Sequence, residues 1–318
     1  MRYITIPNTS LMVSQVCLGS GSFGSTIRMD EAFRLLDEFY AAGGNFMDSA
    51  RIYAAWLPGG ANASEKTLGA WQRSRRVRER VVLATKGAHP DLATMHISRL
   101  SPADITHDIE ASLRCLQTDV IDLYWLHRDD PALPVGEILE ALNDHVRAGH
   151  IRYFGCSNWR VARIRAAAQY AREHGLSGFV ANQPMWSLAA PNREAFGDKT
   201  LVLMDDEDIA FHRESGMAVV PYSSQARGFF TKLADDRLKD GDRRRYDSPL
   251  NRARYECAQA LAVRYDVPVT AIALSYLTSQ PFPVIPIIGS KNLDQLRDSL
   301  RYVDLILSAE DAAALEGG

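Results

Sequence analysis

Several features that would fix a protein's class at once are missing here. The 318 residues hold four cysteines, Cys17, Cys115, Cys156 and Cys257, with no CxxC pair and no cysteine–histidine spacing that closes a zinc site. Neither a disulfide scaffold nor a metal module is expected; the thiols read as reduced and packed. No run approaches the roughly 18 uninterrupted apolar residues of a membrane span. Met1-Arg2-Tyr3-Ile4-Thr5-Ile6 lacks the apolar core of a signal peptide, so a cytoplasmic location is expected. Charge of one sign is absent too. The 36 basic and 39 acidic residues are spread along the chain for a net −3, which gives nucleic acid or anionic lipid no sustained field. Small molecules are the expected partners, and the oligomeric state stays open. The basic runs 73–80 and 243–245 are short, lie near acidic residues, and read as solvated helix ends or loops.

What is present is an ordinary globular composition, 46% hydrophobic and 24% charged. Pro7-Asn8-Thr9-Ser10 separates two short apolar runs and predicts a hairpin ahead of the main fold. A rhythm follows in which brief β-branched or aromatic runs alternate with amphipathic stretches of roughly 10 to 16 residues, the pattern of parallel strands joined by crossover helices. The strand candidates are 16–18, 45–47, 81–84, 120–126, 151–154, 179–181, 217–220 and 284–288. Most lack inside/outside alternation, as strands covered on both faces should. Asp30 predicts a helix cap with Phe33, Leu36 and Tyr40 on its buried face and Gly43-Gly44 as the stop. Ser101-Pro102-Ala103-Asp104 predicts a second helix start, followed by Ile105, Ile109, Leu113 and Leu116 on one stripe. Eight such units predict an α/β fold: one (β/α)8 TIM barrel domain over 1–318, with 191–208 and 227–249 as inserted loops. Its active site would lie at the C-terminal strand ends.

Gly19-Ser20-Gly21-Ser22-Phe23-Gly24 fits the GxGxxG dinucleotide fingerprint, with Asp48 at the end of a second strand. The fingerprint needs its third glycine where a helix has already begun. Here residues 25–29 intervene before the predicted cap, which disfavours the doubly wound alternative.

In a barrel, chemistry comes from the last residues of several strands. Asp48, Lys86, His127, Ser157-Asn158, Gln183, Tyr222-Ser223 and Ser290 each follow an apolar run. Any one of them alone would be a salt-bridge partner or a rim residue; together they would meet at one mouth. With Tyr53 nearby, Asp48, Lys86 and His127 form a chemical set. A phenol titrates near ~10, and an ammonium beside it favours the phenolate. Lys86 would supply that field, Asp48 would hold the lysine, and His127 would donate a hydrogen bond to a substrate carbonyl while Tyr53 protonates its oxygen.

The segments LGSGSFG (18–24), MDSARIY (47–53), LATKGAH (83–89), IDLYWLHRDD (121–130), FGCSNW (154–159), NQPMWSL (182–188) and VIPIIGS (284–290) resemble the aldo-keto reductase family in matching order and over nearly the whole chain. That resemblance implies an NADP(H)-dependent reduction of aldehydes or ketones to alcohols by hydride transfer, with Asp48, Tyr53, Lys86 and His127 as the catalytic tetrad and Tyr53 as general acid. It assigns Ser157, Asn158 and Gln183 to the nicotinamide carboxamide and Trp186 to the nicotinamide face. Gly21, the loop with Tyr222, Ser223, Ser224, Gln225 and Gly228, and the segment with Gly289, Ser290, Lys291, Gln295 and Asp298 would hold the rest of the dinucleotide. Ser299 stands where the family commonly has asparagine, and Lys291 is the one cation evidently placed for a 2′-phosphate. NADP is therefore expected, with NAD as the alternative. Trp56, His89, Trp125, Arg128 and Asp129 would bring aromatic and polar groups to the mouth, a mixture suited to a sugar-like carbonyl.

A cofactor-sensing regulatory subunit with little turnover is the second expectation; it is disfavoured because the chain begins a few residues before the barrel. A metal-dependent hydrolase using Asp48, His89, His96 and His127 lacks the HxH or HxxxH spacing it would need.

Overall fold

A computed structural model describes residues 1–317. Tyr3–Thr5 (β1) and Met12–Ser14 (β2) pair antiparallel across the Pro7–Ser10 turn, as the hairpin signal predicts. Eight parallel strands follow: β3 (Cys17–Gly19), β4 (Phe46–Asp48), β5 (Val82–Gly87), β6 (Ile121–Leu126), β7 (Ile151–Ser157), β8 (Ala181–Gln183), β9 (Ala218–Val219) and β10 (Ile287–Ile288). They run in the order β10-β3-β4-β5-β6-β7-β8-β9. The two ends of that sheet meet. Val219 N–H donates to Pro283 O at 2.8 Å, Ile285 N–H to Val219 O at 2.8 Å, and Ile287 N–H to Pro221 O at 2.9 Å, which closes the predicted barrel.

The outer ring begins with α1 (Met29–Ala41), α2 (Ala63–Arg75), α3 (Pro102–Leu116), α4 (Val135–Arg147), α5 (Val161–His174) and α6 (Asp206–Ser215). It continues with α7 (Phe229–Ala234), α8 (Asp240–Tyr246), α9 (Pro249–Tyr265), α10 (Val269–Thr278), α11 (Leu293–Arg301) and α12 (Ala309–Gly317). Two helical details depart from the sequence reading. The α1 cap is Arg28, whose N–H is met by Glu31, and the buried stripe is Ala32, Leu35, Leu36 and Phe39, with Phe33 and Tyr40 partly buried at its margin. The 227–249 stretch is not a loop: it folds into α7 and α8, with Phe229, Phe230 and Tyr246 buried against α9 and α10. Ser101 caps α3 as predicted, accepting from Asp104 N–H at 3.2 Å.

Strand periodicity places the functional side chains. Phe46, Val82, Ala84, Leu123, Trp125 and Ala181 fill the barrel interior, and Ile6, Leu11 and Val13 of the hairpin close its floor in the same cluster. Met47, Leu83, Tyr124, Leu126 and Phe154 face outward onto the helices. Because side chains alternate along a strand, the next inward positions are Asp48 after Phe46, Lys86 after Ala84, His127 after Trp125 and Gln183 after Ala181. Apolar residues on both faces of each strand explain why no alternation shows in the sequence.

Gly19 and Gly24 of the GxGxxG run serve packing. A Cβ on Gly24, whose φ is +68°, would stand 2.4 Å from Thr67 Oγ1 and 2.9 Å from Ala63 O, so this residue lets the loop rest on α2. Gly155 is the counterpart inside the barrel: a Cβ there would stand 2.5 Å from the Trp125 ring and 2.6 Å from Ala181 O. Gly155→Ala should therefore lower stability by about 1–3 kcal/mol through overpacking, measured by urea denaturation. Unchanged stability would show that Trp125 can shift.

Candidate active site

Asp48, Lys86 and Gln183 come from the ends of β4, β5 and β8, and Tyr53 from the loop after β4. The turn bonds Tyr53 N–H→Ala50 O (3.1 Å) and Arg51 N–H→Lys86 O (2.9 Å) fold that loop back over the barrel. Lys86 is 1% exposed. Its Nζ donates to Asp48 Oδ2, to Ser49 O at 2.8 Å and to Tyr53 Oη at 2.9 Å, which uses all three ammonium hydrogens. Gln183 Nε2 donates to Asp48 Oδ1 at 3.1 Å. The backbone acceptor is fixed in turn: Ser49 Oγ and Ser20 Oγ each lie 2.7 Å from Ser64 Oγ, and Ser20 Oγ donates to Asp48 O at 2.8 Å.

Burial disfavours the Lys86 ammonium, but Asp48 and Tyr53 outweigh it and hold the lysine above its ordinary range. The phenol differs from expectation. Burial pushes Tyr53 up, Lys86 pulls it back, and the net position is above 10, because desolvation exceeds the lysine's field. Tyr53 is thus a neutral phenol at neutral pH. His127 lies with its ring edge-to-face to Tyr53, centroids 6.0 Å apart, and against His89 at 4.8 Å. Burial, with the charge of Arg128 next, drives His127 well below the ordinary histidine range, so it is a neutral imidazole.

Asn158, in a left-handed conformation (φ +61°), is a hub. Its Nδ2 donates to His127 O (3.2 Å), and its Oδ1 accepts from Val202 N–H (3.0 Å) and Tyr222 Oη (2.8 Å). Ser157 Oγ donates to Gln183 O at 2.8 Å. A cavity of about 600 Å³ opens beside β9 and α11. Its lining includes the expected Ser223, Ser224, Gln225, Gly228, Gly289, Ser290, Lys291, Gln295 and Asp298. Gly21 lies apart from it, on the Tyr53 ring, where a Cβ would make ordinary contact at 3.7 Å.

Two aromatic side chains lie deeper than the sequence suggests. Trp125 is fully buried inside the barrel beneath the site, since strand alternation turns it inward below His127. Trp186 packs against Tyr276 and Phe282, 5.9 and 6.1 Å between centroids, in the cluster around α9 and α10. Trp56 stands 58% exposed on the loop after β4, while His89 is buried on His127. Arg128 and Asp129 are both ion-paired, with Asp198 and Arg163. The cavity also holds Arg227, from the 222–228 loop expected over the pyrophosphate, and two cations that the sequence does not reveal, Lys232 and Arg237, in the 227–249 stretch whose content of arginine and lysine is the only signal.

The Aldo/keto reductase family profile matches residues 15–317. Norsolorinic acid reductase B of Dothistroma septosporum is 30% identical over 98% of this chain and 79% of its own length. An aryl-alcohol dehydrogenase of Pestalotiopsis microspora is 30% identical over 98% and 80%, and an uncharacterized oxidoreductase of Bacillus subtilis 33% over 98% and 93%. Among solved structures, a thermostable aldo-keto reductase in complex with the inhibitor epalrestat superposes with a TM-score of 0.73 at 22% identity, covering 99% of both chains.

The buried Lys86–Asp48 pair yields a stability test. Lys86→Met leaves a buried carboxylate without its cationic partner and should cost about 3–5 kcal/mol. Adding Asp48→Asn should recover part of that loss. Chemical denaturation of the two single variants and the double variant measures the coupling, and strict additivity would refute it.

Proposed function

The chain belongs to the aldo/keto reductase family and is a nicotinamide-dependent oxidoreductase, and on that premise we propose that it reduces aldehydes or ketones to alcohols with NADPH, Tyr53 giving the proton. One observation carries this reading. Every Lys86 hydrogen is committed, one of them to Tyr53 Oη, so the phenol oxygen is an acceptor there and its own hydrogen is free for a substrate oxygen. Once that proton leaves, the phenolate keeps the Lys86 N–H as its donor. Neutral His127 supplies a second donor to the carbonyl if its Nε2 carries the hydrogen.

The residues present fit a nicotinamide dinucleotide. Gln183 Oε1, next to Asp48, and Ser290 Oγ, in the cavity lining, are buried without hydrogen-bond partners, as atoms that await a polar ligand would be. When bound, the reduced nicotinamide supplies the hydride to the carbonyl carbon. Gln183, with Ser157 beside it, would hold its carboxamide, while Asn158, whose amide is committed to His127, Ser157, Val202 and Tyr222, would position these groups, and Tyr222 would take the ring-contact role in place of Trp186. The loop 223–228 would meet the pyrophosphate, and Ser290, Lys291, Gln295 and Asp298 the adenosine end. Lys291 with Arg227 favours a phosphorylated ribose over a bare one, while Lys232 and Arg237 of the same lining are paired with Asp242 and Asp235.

For the substrate, aryl aldehydes or ketones suit the mouth better than sugars. Trp56, Leu92, Met95 and Ile97 are exposed on the loops after β4 and β5, whose strand ends carry Asp48 and Lys86. The name of the aryl-alcohol dehydrogenase relative agrees with an aromatic substrate.

Tyr53→Phe should reduce kcat for 4-nitrobenzaldehyde with NADPH by about 10²–10⁴-fold while fluorescence titration shows the cofactor still bound; full activity would overturn the role of Tyr53. With Tyr53 above 10 and His127 well below 6.5, kcat/KM for reduction should stay flat across neutral pH. It should fall only as pH rises past the phenol, because the proton donor is then lost, and oxidation should rise over the same range. An inflection near pH 7 in the wild type that vanishes in Tyr53→Phe would contradict this. NADPH should bind more tightly than NADH, and Lys291→Glu should narrow the gap; equal affinities would refute the NADPH preference.

A further inference from the structure

Arg128 is the cation that borders the reaction centre without belonging to the Lys86 cluster. It is 8% exposed. Its Nη1 donates to the carbonyl of His127 at 2.8 Å, its own carbonyl accepts from Trp159 Nε1 at 3.1 Å, and its Nε is buried without a partner. The guanidinium therefore sits on the main chain of the histidine that faces Tyr53. Its field reaches His127, His89, Tyr53 and Tyr222 alike, the four rings around the reacting position.

Its acidic partner comes from elsewhere. Asp198 lies in the stretch between β8 and α6, and its Oδ2 accepts from Arg128 Nη2 at 3.0 Å. The other oxygen, Oδ1, accepts from Thr200 N–H at 2.9 Å and Thr200 Oγ1 at 2.6 Å, so the local turn is held without Arg128. One carboxylate oxygen can thus leave the guanidinium while the turn persists. Lys86 has no hydrogen left to offer, and Arg163 is taken by both oxygens of Asp129. A planar guanidinium with a free Nε beside an exchangeable Nη2 is a fork that matches a carboxylate.

We propose that Arg128 is a specificity-determining residue that selects carbonyl substrates bearing an ionised oxygen group, a carboxylate in the first instance, with Asp198 Oδ2 occupying that group's place in its absence. The proposal rests on the carbonyl-reduction reading above and adds the charge class of the substrate. A buried cation desolvated in this way rewards an anionic ligand and is indifferent to a neutral isostere of the same shape.

Nitro and carboxylate groups are such isosteres, so 3- and 4-carboxybenzaldehyde are compared with 3- and 4-nitrobenzaldehyde, NADPH saturating. For at least one positional isomer, kcat/KM should favour the carboxylate by about 10-fold, the scale of one charge-assisted hydrogen bond, although nitro makes the aldehyde more electrophilic. Arg128→Gln should erase that ratio mainly through KM, Arg128→Lys should restore part of it, and Asp198→Asn should raise it by removing the competing carboxylate. A wild-type ratio at or below one for both isomers, or a ratio unmoved in Arg128→Gln, overturns the proposal. Should the arginine variants fail to fold, Asp198→Asn decides alone: a rise supports the competition and no rise refutes it. If the nitro aldehydes are reduced without carboxylate preference, only this inference falls. If neither class is reduced, the carbonyl-reduction reading falls and takes this inference with it.

Discussion

One buried ammonium organises the site. Lys86 is buried in the barrel, and a charge there is tolerable only if every hydrogen finds an acceptor. The three acceptors, Asp48 Oδ2, Ser49 O and Tyr53 Oη, come from the end of β4 and the loop after it. Satisfying the lysine therefore fixes the carboxylate, the turn and the phenol together. The direction of the bond to Tyr53 follows from the lysine's having only donors, and this direction points the phenolic hydrogen elsewhere.

Around that centre the structure controls protonation by burial more than by pairing. Desolvation keeps His127 neutral and Tyr53 protonated. The field of Lys86 acts on the phenol, and in the proposed reaction its larger service would be to the phenolate left after transfer, where the hydrogen bond would become charge-assisted. Asn158 transmits position: one side chain joins the His127 carbonyl, the Tyr222 hydroxyl and Val202, so the histidine, the β9 loop and the long β8 loop share one anchor.

How much could be read from the chain differs residue by residue. Asp48, Lys86, His127 and Gln183 were legible because each is the polar residue that ends an apolar run. Trp125 lies deeper than the sequence suggests for the same reason that His127 was found: two residues apart on one strand, they share a face, and the lower one is swallowed by the core. Trp186 sits in a short segment after β8 with no periodicity to show whether it turns toward the mouth or toward α10. The cations Lys232 and Arg237 were hidden because their stretch reads as loop, whereas Phe229, Phe230 and Tyr246 draw it into helices against α9 and α10.

The sequence by itself determined the repeat of eight units, the closed barrel and the set of polar strand ends, since these depend on local periodicity and on the need to cover both faces of each strand. It also carried the family, through motifs spread from Leu18 to Ser290. Only the tertiary structure decided which groups touch, how burial outweighs the lysine's field at Tyr53, and that Arg128 of one strand end meets Asp198 seventy residues away. Contacts of that kind join segments whose separation in the chain says nothing of their distance in space, and desolvation is a property of the finished enclosure.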